Sequence, residues 1–284
     1  MRKYMKYEIR GSYRFILGII AVLLIASTII QYNIYKASYN VSTSYEATGI
    51  RAFTLFISIL AIFGAFLSTF LYIVGLFRKE LYESRGYLTF TLPLTGHKIL
   101  GAKILVGVIW YAIITLSIVL YNLFLATVFH GSTWIQAIKR LISFLGPGTT
   151  TSIIISSLII SLQSTFLSLV LVYLSIVLSK VSIKNKKIGG LWFVIFLVLS
   201  GLTSYLIIKI SQIFPYYLDI SNLKILHYYD VFPLTSITGD IGRIFIYGSN
   251  LDGYINIFGS LLELLFIVLG FLATGYLIEK KIDL

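Results

Sequence analysis

Phe15 to Tyr35 is a run of 21 residues without a single charge. Similar uncharged runs span Ala52–Phe77, Ile104–Phe129, Leu141–Ser179 and Ile188–Ile208, and a sixth, Tyr254–Ile278, is interrupted only by Glu263. A helix rises about 1.5 Å per residue, so about 20 apolar residues cross the hydrocarbon core of a bilayer. The fourth run is too long for one crossing. Gly146-Pro147-Gly148 divides it, so its helix is expected to begin near Thr150. Only 12% of the 284 residues are charged and 58% are hydrophobic, whereas soluble domains carry about a quarter charged residues. The mean hydropathy is +0.92. The longest polar candidate for a separate domain, Ser211 to Gly253, is itself rich in aromatics.

These features predict an all-α integral membrane protein. Residues 1–284 form a single transmembrane domain, with spans at about 14–34, 53–77, 104–129, 151–178, 188–209 and 255–278. The basic N-terminus followed by an apolar run also suits a signal peptide. The run is long for one, however, and no clear small-x-small cleavage site follows, so it is read as a retained first span.

Orientation comes from Lys and Arg, which concentrate in cytoplasmic segments. With the N-terminus inside, the inner segments hold sixteen: Arg2, Lys3, Lys6, Arg10 and Arg14; Arg78, Lys79, Arg85, Lys98 and Lys103; Lys180, Lys184, Lys186 and Lys187; Lys280 and Lys281. The outer segments hold seven. The bias predicts an N-in/C-in chain with an even number of spans. It also explains the net charge of +12 without invoking nucleic acid.

Two outer segments have their own character. Between spans three and four, Trp134, Ile135, Ile138, Leu141, Ile142 and Leu145 recur at helical spacing, opposite Gln136, Lys139 and Arg140. This predicts a short amphipathic helix in the membrane interface, capped by Ser132 or Thr133. The segment before span six carries Tyr216, Tyr217, Tyr228, Tyr229 and Phe232. Tyrosine favours the interface, so this segment is expected to fold against the outer membrane surface or dip into it, where it either caps the bundle, the favoured reading, or touches substrate. No repeat of the inverted-transporter kind is visible.

Motifs for chemistry are sparse. There are no cysteines, which excludes disulfides, thiol nucleophiles and Cys-ligated metals. The string Gly96-His97-Lys98-Ile99-Leu100-Gly101-Ala102-Lys103 approaches a phosphate-binding loop, but the Lys is displaced and no Ser or Thr follows it. Hence no ATP hydrolysis by this chain alone, no metal site and no catalytic residue is expected. His97, His130 and His227 are expected in three different loops. Glu80 and Glu83 belong to a charged helix end. Glu263 is the one acid within a span, on a helical face shared with Gly259, Gly270 and Thr274. An ionisable group at membrane depth faces a bundle interior or water, and small residues allow close helix approach. Glu263 therefore lines a substrate path, serves as a proton-linked site, or makes a structural hydrogen bond between helices.

The segment Arg78–Lys103 is the most informative. Arg78, Lys79, Glu80, Glu83 and Arg85 extend span two as a charged helix. Gly86 is placed to end it, Leu88-Thr89-Phe90-Thr91-Leu92 alternates as an extended stretch, Pro93 breaks the chain, and Thr95 caps the next helix. A charged elbow of this kind suits either an ordinary hairpin turn or a lever for a docking partner.

Phe77-Arg78-Lys79-Glu80-Leu81-Tyr82-Glu83-Ser84-Arg85-Gly86-Tyr87-Leu88-Thr89-Phe90-Thr91-Leu92-Pro93-Leu94-Thr95, with Lys98 to Lys103 after it, resembles the cytoplasmic loop of bacterial ABC exporter permeases of the second class, which often carry a GYLT-x-T-LP string. The resemblance implies a transmembrane permease subunit in the bacterial cytoplasmic membrane. It would pair with a second permease chain, identical or paralogous, and with two separate ABC ATPase subunits that hold ATP and Mg. It also implies a coupling helix after span two, with Arg78, Lys79, Glu80, Tyr82, Glu83, Arg85, Gly86 and Tyr87 at the ATPase contact. The exported molecule would be hydrophobic or amphiphilic: a peptide (including peptide antibiotics), a lipid or a drug. Two other functions fit the same residues: a stand-alone secondary transporter or channel using Glu263, and a membrane scaffold or immunity protein that acts by binding.

Overall fold

The computed structural model describes residues 2–39, 45–82, 95–182, 190–220, 222–231, 245–247 and 253–280. The described chain is predominantly helical: α1 (Arg2–Tyr39), α2 (Tyr45–Tyr82), α3 (Gly96–His130), α4 (Thr133–Leu145), α5 (Pro147–Ser182) and α6 (Leu191–Ile213). Four short strands and a single helical turn follow: β1 (Tyr216–Asp219), β2 (Lys224–His227), α7 (Tyr228–Val231), β3 (Phe245–Tyr247) and β4 (Gly253–Asn256). The long helix α8 (Ile257–Lys280) comes last. Among the described residues six helices are long and apolar enough to cross a membrane: α1, α2, α3, α5, α6 and α8.

Local chemistry sets the helix ends. Gly131 (φ 57°) and Gly146 (φ 84°) close α3 and α4 in the left-handed region, where glycine carries no Cβ penalty. Their amides donate to Thr127 O and Ile142 O. Pro147 then opens α5. Proline suits a first helical position, where its missing N–H has no partner to lose, so the helix starts three residues before Thr150. Helix α4 lies where periodicity placed it. The Ser132 carbonyl takes the first helical bond, from Gln136 N at 3.1 Å. Thr133 instead donates its hydroxyl back to His130 O. No residue of α4 is buried, and Ile138, Leu141 and Phe144 are exposed, as an apolar stripe meant for an interface requires.

The chain divides into two compact units: Met1–Lys79 with Leu105–Lys139, and Glu80–Ile104 with Arg140–Leu284. In the first, polar side chains tie α1 to α3. The Ser12 hydroxyl donates to Glu8 O and accepts from Trp110 Nε1 at 2.9 Å. Thr28 meets Tyr121 at 2.8 Å, and Asn122 bonds both Ser27 and Gln31. Phe15 stacks on Tyr72 of α2. Large apolar residues such as Phe53, Phe56, Phe63 and Phe124 point outward. This is the inverse of a soluble fold and is favourable only in an apolar solvent, where interhelical packing and hydrogen bonds take over from the hydrophobic effect.

The second unit packs α5, α6 and α8 together with the strands. The described part of the segment before α8 carries, besides α7, an antiparallel sheet in the order β2-β1-β4-β3, an element the all-α reading lacked. Tyr217 pairs with Leu226 and Asn256, and Tyr254 with Ile246. Tyr217, Tyr228 and Tyr254 form a small buried core, so these tyrosines pack inward. Strand β4 carries the hydrogen bonds that fasten the sheet to the helices, and Tyr216 of β1 meets Phe258 of α8. Ser152 and Ser156 of α5 donate to Gly253 O. Asn256 accepts from Gly259 N at 2.8 Å, capping α8, while its amide donates to Ser211 O and Phe214 O at the end of α6.

Candidate functional site

Two places in the second unit gather the polar groups singled out in the sequence. One is the junction of the α2 end with the α3 start. Glu80 Oε1 lies 2.8 Å from Lys103 Nζ, with side chains only 18% and 4% exposed. A buried ion pair costs desolvation on both sides, and breaking it costs more still. Tyr82 donates to Ser179 of α5, and Lys180 Nζ sits 4.8 Å above the Tyr82 ring. Thr95 holds the N-cap position of α3, its carbonyl taking bonds from Lys98 N and Ile99 N.

The same junction fixes α8. His97, in the first turn of α3 rather than in a loop, contacts Glu279 at 3.1 Å and meets Phe271 edge-on. Gly275 makes room for that ring: a Cβ there would lie 2.3 Å from it. A Cβ on Gly96 would press on Glu279 and Ile278. Glu279 was not foreseen, because it is one of several charges at a helix end. Its pairing with His97 spans 182 positions, and no local pattern signals that.

Of the residues expected at the partner contact, Arg78 is partly buried, Lys79 is exposed on α2, and Glu80 and Tyr82 are turned into the internal contacts above. Glu83, Arg85, Gly86 and Tyr87, with the alternating stretch Leu88–Leu92, lie outside the described residues.

The second place is Glu263, in the middle of α8. It is 2% exposed, and its helix buries Gly259, Gly270 and Thr274 with it. Gly270 lets α5 approach: a Cβ there would lie 2.6 Å from Val170. Oε1 accepts a long hydrogen bond of 3.4 Å from Ser164. Oε2, fully buried, has no hydrogen-bond partner among the described residues. The carboxyl lines a cavity of about 430 Å³ between α5, α6 and α8, within the ~300–1,000 Å³ range of small-molecule sites. Its other polar lining is hydroxyl: Ser164, Ser168, Ser200, Thr203 and Ser204. These hydroxyls form no recognisable motif in the sequence. The signal was present as Ser/Thr at helical spacing (164 and 168; 200, 203 and 204) inside otherwise apolar runs.

Among the described residues no group of three or more His, Asp or Glu side chains converges as a metal site would. No protein-family model matches the chain, and no curated protein or solved structure does either.

Proposed function

We propose that this chain is the transmembrane permease subunit of an ATP-driven exporter in a cell membrane. On this reading its six spans are moved by ATPase subunits that dock on the segment after α2, and the N- and C-termini lie on the cytoplasmic side. The observation that carries it is the Glu80–Lys103 pair, its lysine buried and its glutamate partly so. Residues 83–94 join two helix ends locked to each other by that pair and to α5 by Tyr82. A push on such a segment is passed into the helices rather than absorbed by a loose turn. The six candidate spans, the Lys and Arg distribution and the lack of a phosphate-binding loop support the same reading.

Glu80 is taken up by its ion pair, so the docking charges to test are Lys79, Glu83 and Arg85. Reversing all three is expected to leave the chain folded in the membrane and to abolish co-purification of an ATPase from the native host. It should equally abolish stimulation of ATP hydrolysis in the reconstituted complex. Normal ATPase recovery and stimulation by the triple variant would remove the docking assignment. A second reading rests on the half-satisfied Glu263 carboxylate: a secondary transporter that uses it as a proton or cation site. Transport by the purified chain in liposomes without any ATPase, lost in Glu263→Gln, would replace the first reading with this one.

A further inference from the structure

The cavity beside Glu263 has a one-sided chemistry. Its hydroxyl protons are largely committed. Ser168 donates to Thr165 O, Ser200 to Leu197 O, Thr203 to Leu199 O and Ser200 O, and Ser164 to Glu263 Oε1. Such back-bonding to the preceding helical turn is the usual way a helical Ser or Thr spends its donor. What these groups still offer inward is oxygen lone pairs. Glu263 Oε2 adds a buried acceptor with no partner, and no Lys, Arg or His among the described residues pairs with this carboxylate. The remaining wall is apolar: Leu167, Leu171, Phe196, Ile207 and Ile208.

A buried acceptor without a donor is costly in an apolar setting, and an acceptor-lined cavity repels anions and other pure acceptors. The guest that satisfies both surfaces is a single cationic donor joined to an apolar body. We propose that the cavity is a binding site for an alkylammonium amphiphile, its –NH₃⁺ held by Glu263 and the Ser and Thr oxygens, its hydrocarbon part against Leu171, Phe196 and Ile207. A phosphatidylethanolamine headgroup presents the same ammonium. It also carries a phosphodiester, which these acceptors repel and for which Ser204 is the one lining hydroxyl with an uncommitted proton among the described residues, so the site favours a phosphate-free amine. As the place where an exported molecule is held, the site rests on the permease reading; its binding chemistry does not.

The test is equilibrium binding of radiolabelled octylamine to the full chain in phosphatidylcholine nanodiscs, with empty discs subtracted and no ATPase present. One saturable site is expected. Octanol, which has the same body without the charge, should compete at least tenfold more weakly. Glu263→Gln, which keeps the volume, should weaken octylamine at least tenfold. Ser200→Phe, which leaves the carboxylate but fills the cavity, should abolish binding. Helix content by circular dichroism and a monodisperse elution profile show that each variant is folded. Should Glu263→Gln misfold, octanol competition and Ser200→Phe still decide the matter. Unchanged affinity in either folded variant, or equal competition by octanol, overturns the proposal. Displacement by an equimolar share of phosphatidylethanolamine in the discs would overturn the selection against phosphate and reassign the site to a lipid. Because no ATPase takes part, failure here leaves the docking experiment untouched, and failure of docking leaves this one.

Discussion

Glu80 and Glu263 are both acids in long apolar helices, and the protein treats them in opposite ways. Glu80 is met by Lys103 at 2.8 Å. Glu263 is deeper, yet among the described residues it receives one hydroxyl at 3.4 Å on one oxygen and nothing on the other, beside a cavity. The first arrangement has the geometry of a structural joint: both charges are used up where they stand. The second leaves binding capacity unspent inside the fold. Proteins hold buried polar groups unsatisfied at some cost, and each such group calls for a reason. The contrast therefore separates a region built for rigidity from one built to receive something.

The same substitution in the two places gives the sharpest break. Glu80→Gln replaces the carboxylate facing a 4%-exposed ammonium with a neutral amide, and it is expected to cost about 3 kcal/mol, near the lower end for breaking a buried pair. Thermal unfolding in detergent would read this as a clear drop in midpoint. Replacing both partners, Glu80→Leu with Lys103→Met, should recover most of the loss, because an apolar pair of similar volume avoids both desolvation costs. If the double variant is as unstable as the single ones added together, the pair is not an isolated joint and its partners lie elsewhere in the network.

How much of this contrast could be read from the sequence differs between the two sites. The six long apolar helices, the amphipathic α4 and the buried face of α8 follow from composition and 3.6-residue periodicity, which act locally. Glu263 stood out because a lone acid in an apolar run is rare. Its cavity did not stand out, since it forms where hydroxyls of α5 and α6 converge with α8 across about a hundred positions. Lys103 was visible as a basic residue at a helix start, but not as the partner of Glu80. The sheet was missed for a related reason. Its strands are three or four residues long, and tyrosine serves equally at a membrane interface and in a small core, so only the long-range pairing of β1 with β4 decides between them. Long-range pairing is what a local pattern does not carry.

A smaller effect is expected at Gly275, which extends the joint to α8. A Cβ there would meet the His97 ring at 2.3 Å, so Gly275→Ala forces the ring away from Phe271 and Glu279. Overpacking of this kind costs about 1–3 kcal/mol. His97→Ala alone should lose the Glu279 and Phe271 contacts at a modest cost, and in combination it should relieve the alanine clash. A double-mutant cycle by thermal unfolding measures this. Strict additivity of the two changes would mean that α8 shifts to absorb the methyl group and that the His97 contact is not what fixes its position.

The smallest stability effect belongs to Glu263, and its smallness is what makes it informative. Glu263→Gln keeps an acceptor for Ser164 and the side-chain volume, and it places two amide donors among the hydroxyl oxygens of the cavity. Among the described residues the bond at risk is the 3.4 Å contact, and even a well-formed hydrogen bond contributes only about 1 kcal/mol net. The unfolding midpoint should therefore move by no more than the equivalent of about 1 kcal/mol, and in either direction. A carboxylate that can be neutralised without loss of stability is not held for the fold, and residues kept at some cost to stability are characteristic of sites that act. If Glu263→Gln instead destabilises the chain as much as Glu80→Gln does, the two acids are alike after all, and Glu263 is a second joint between α5 and α8.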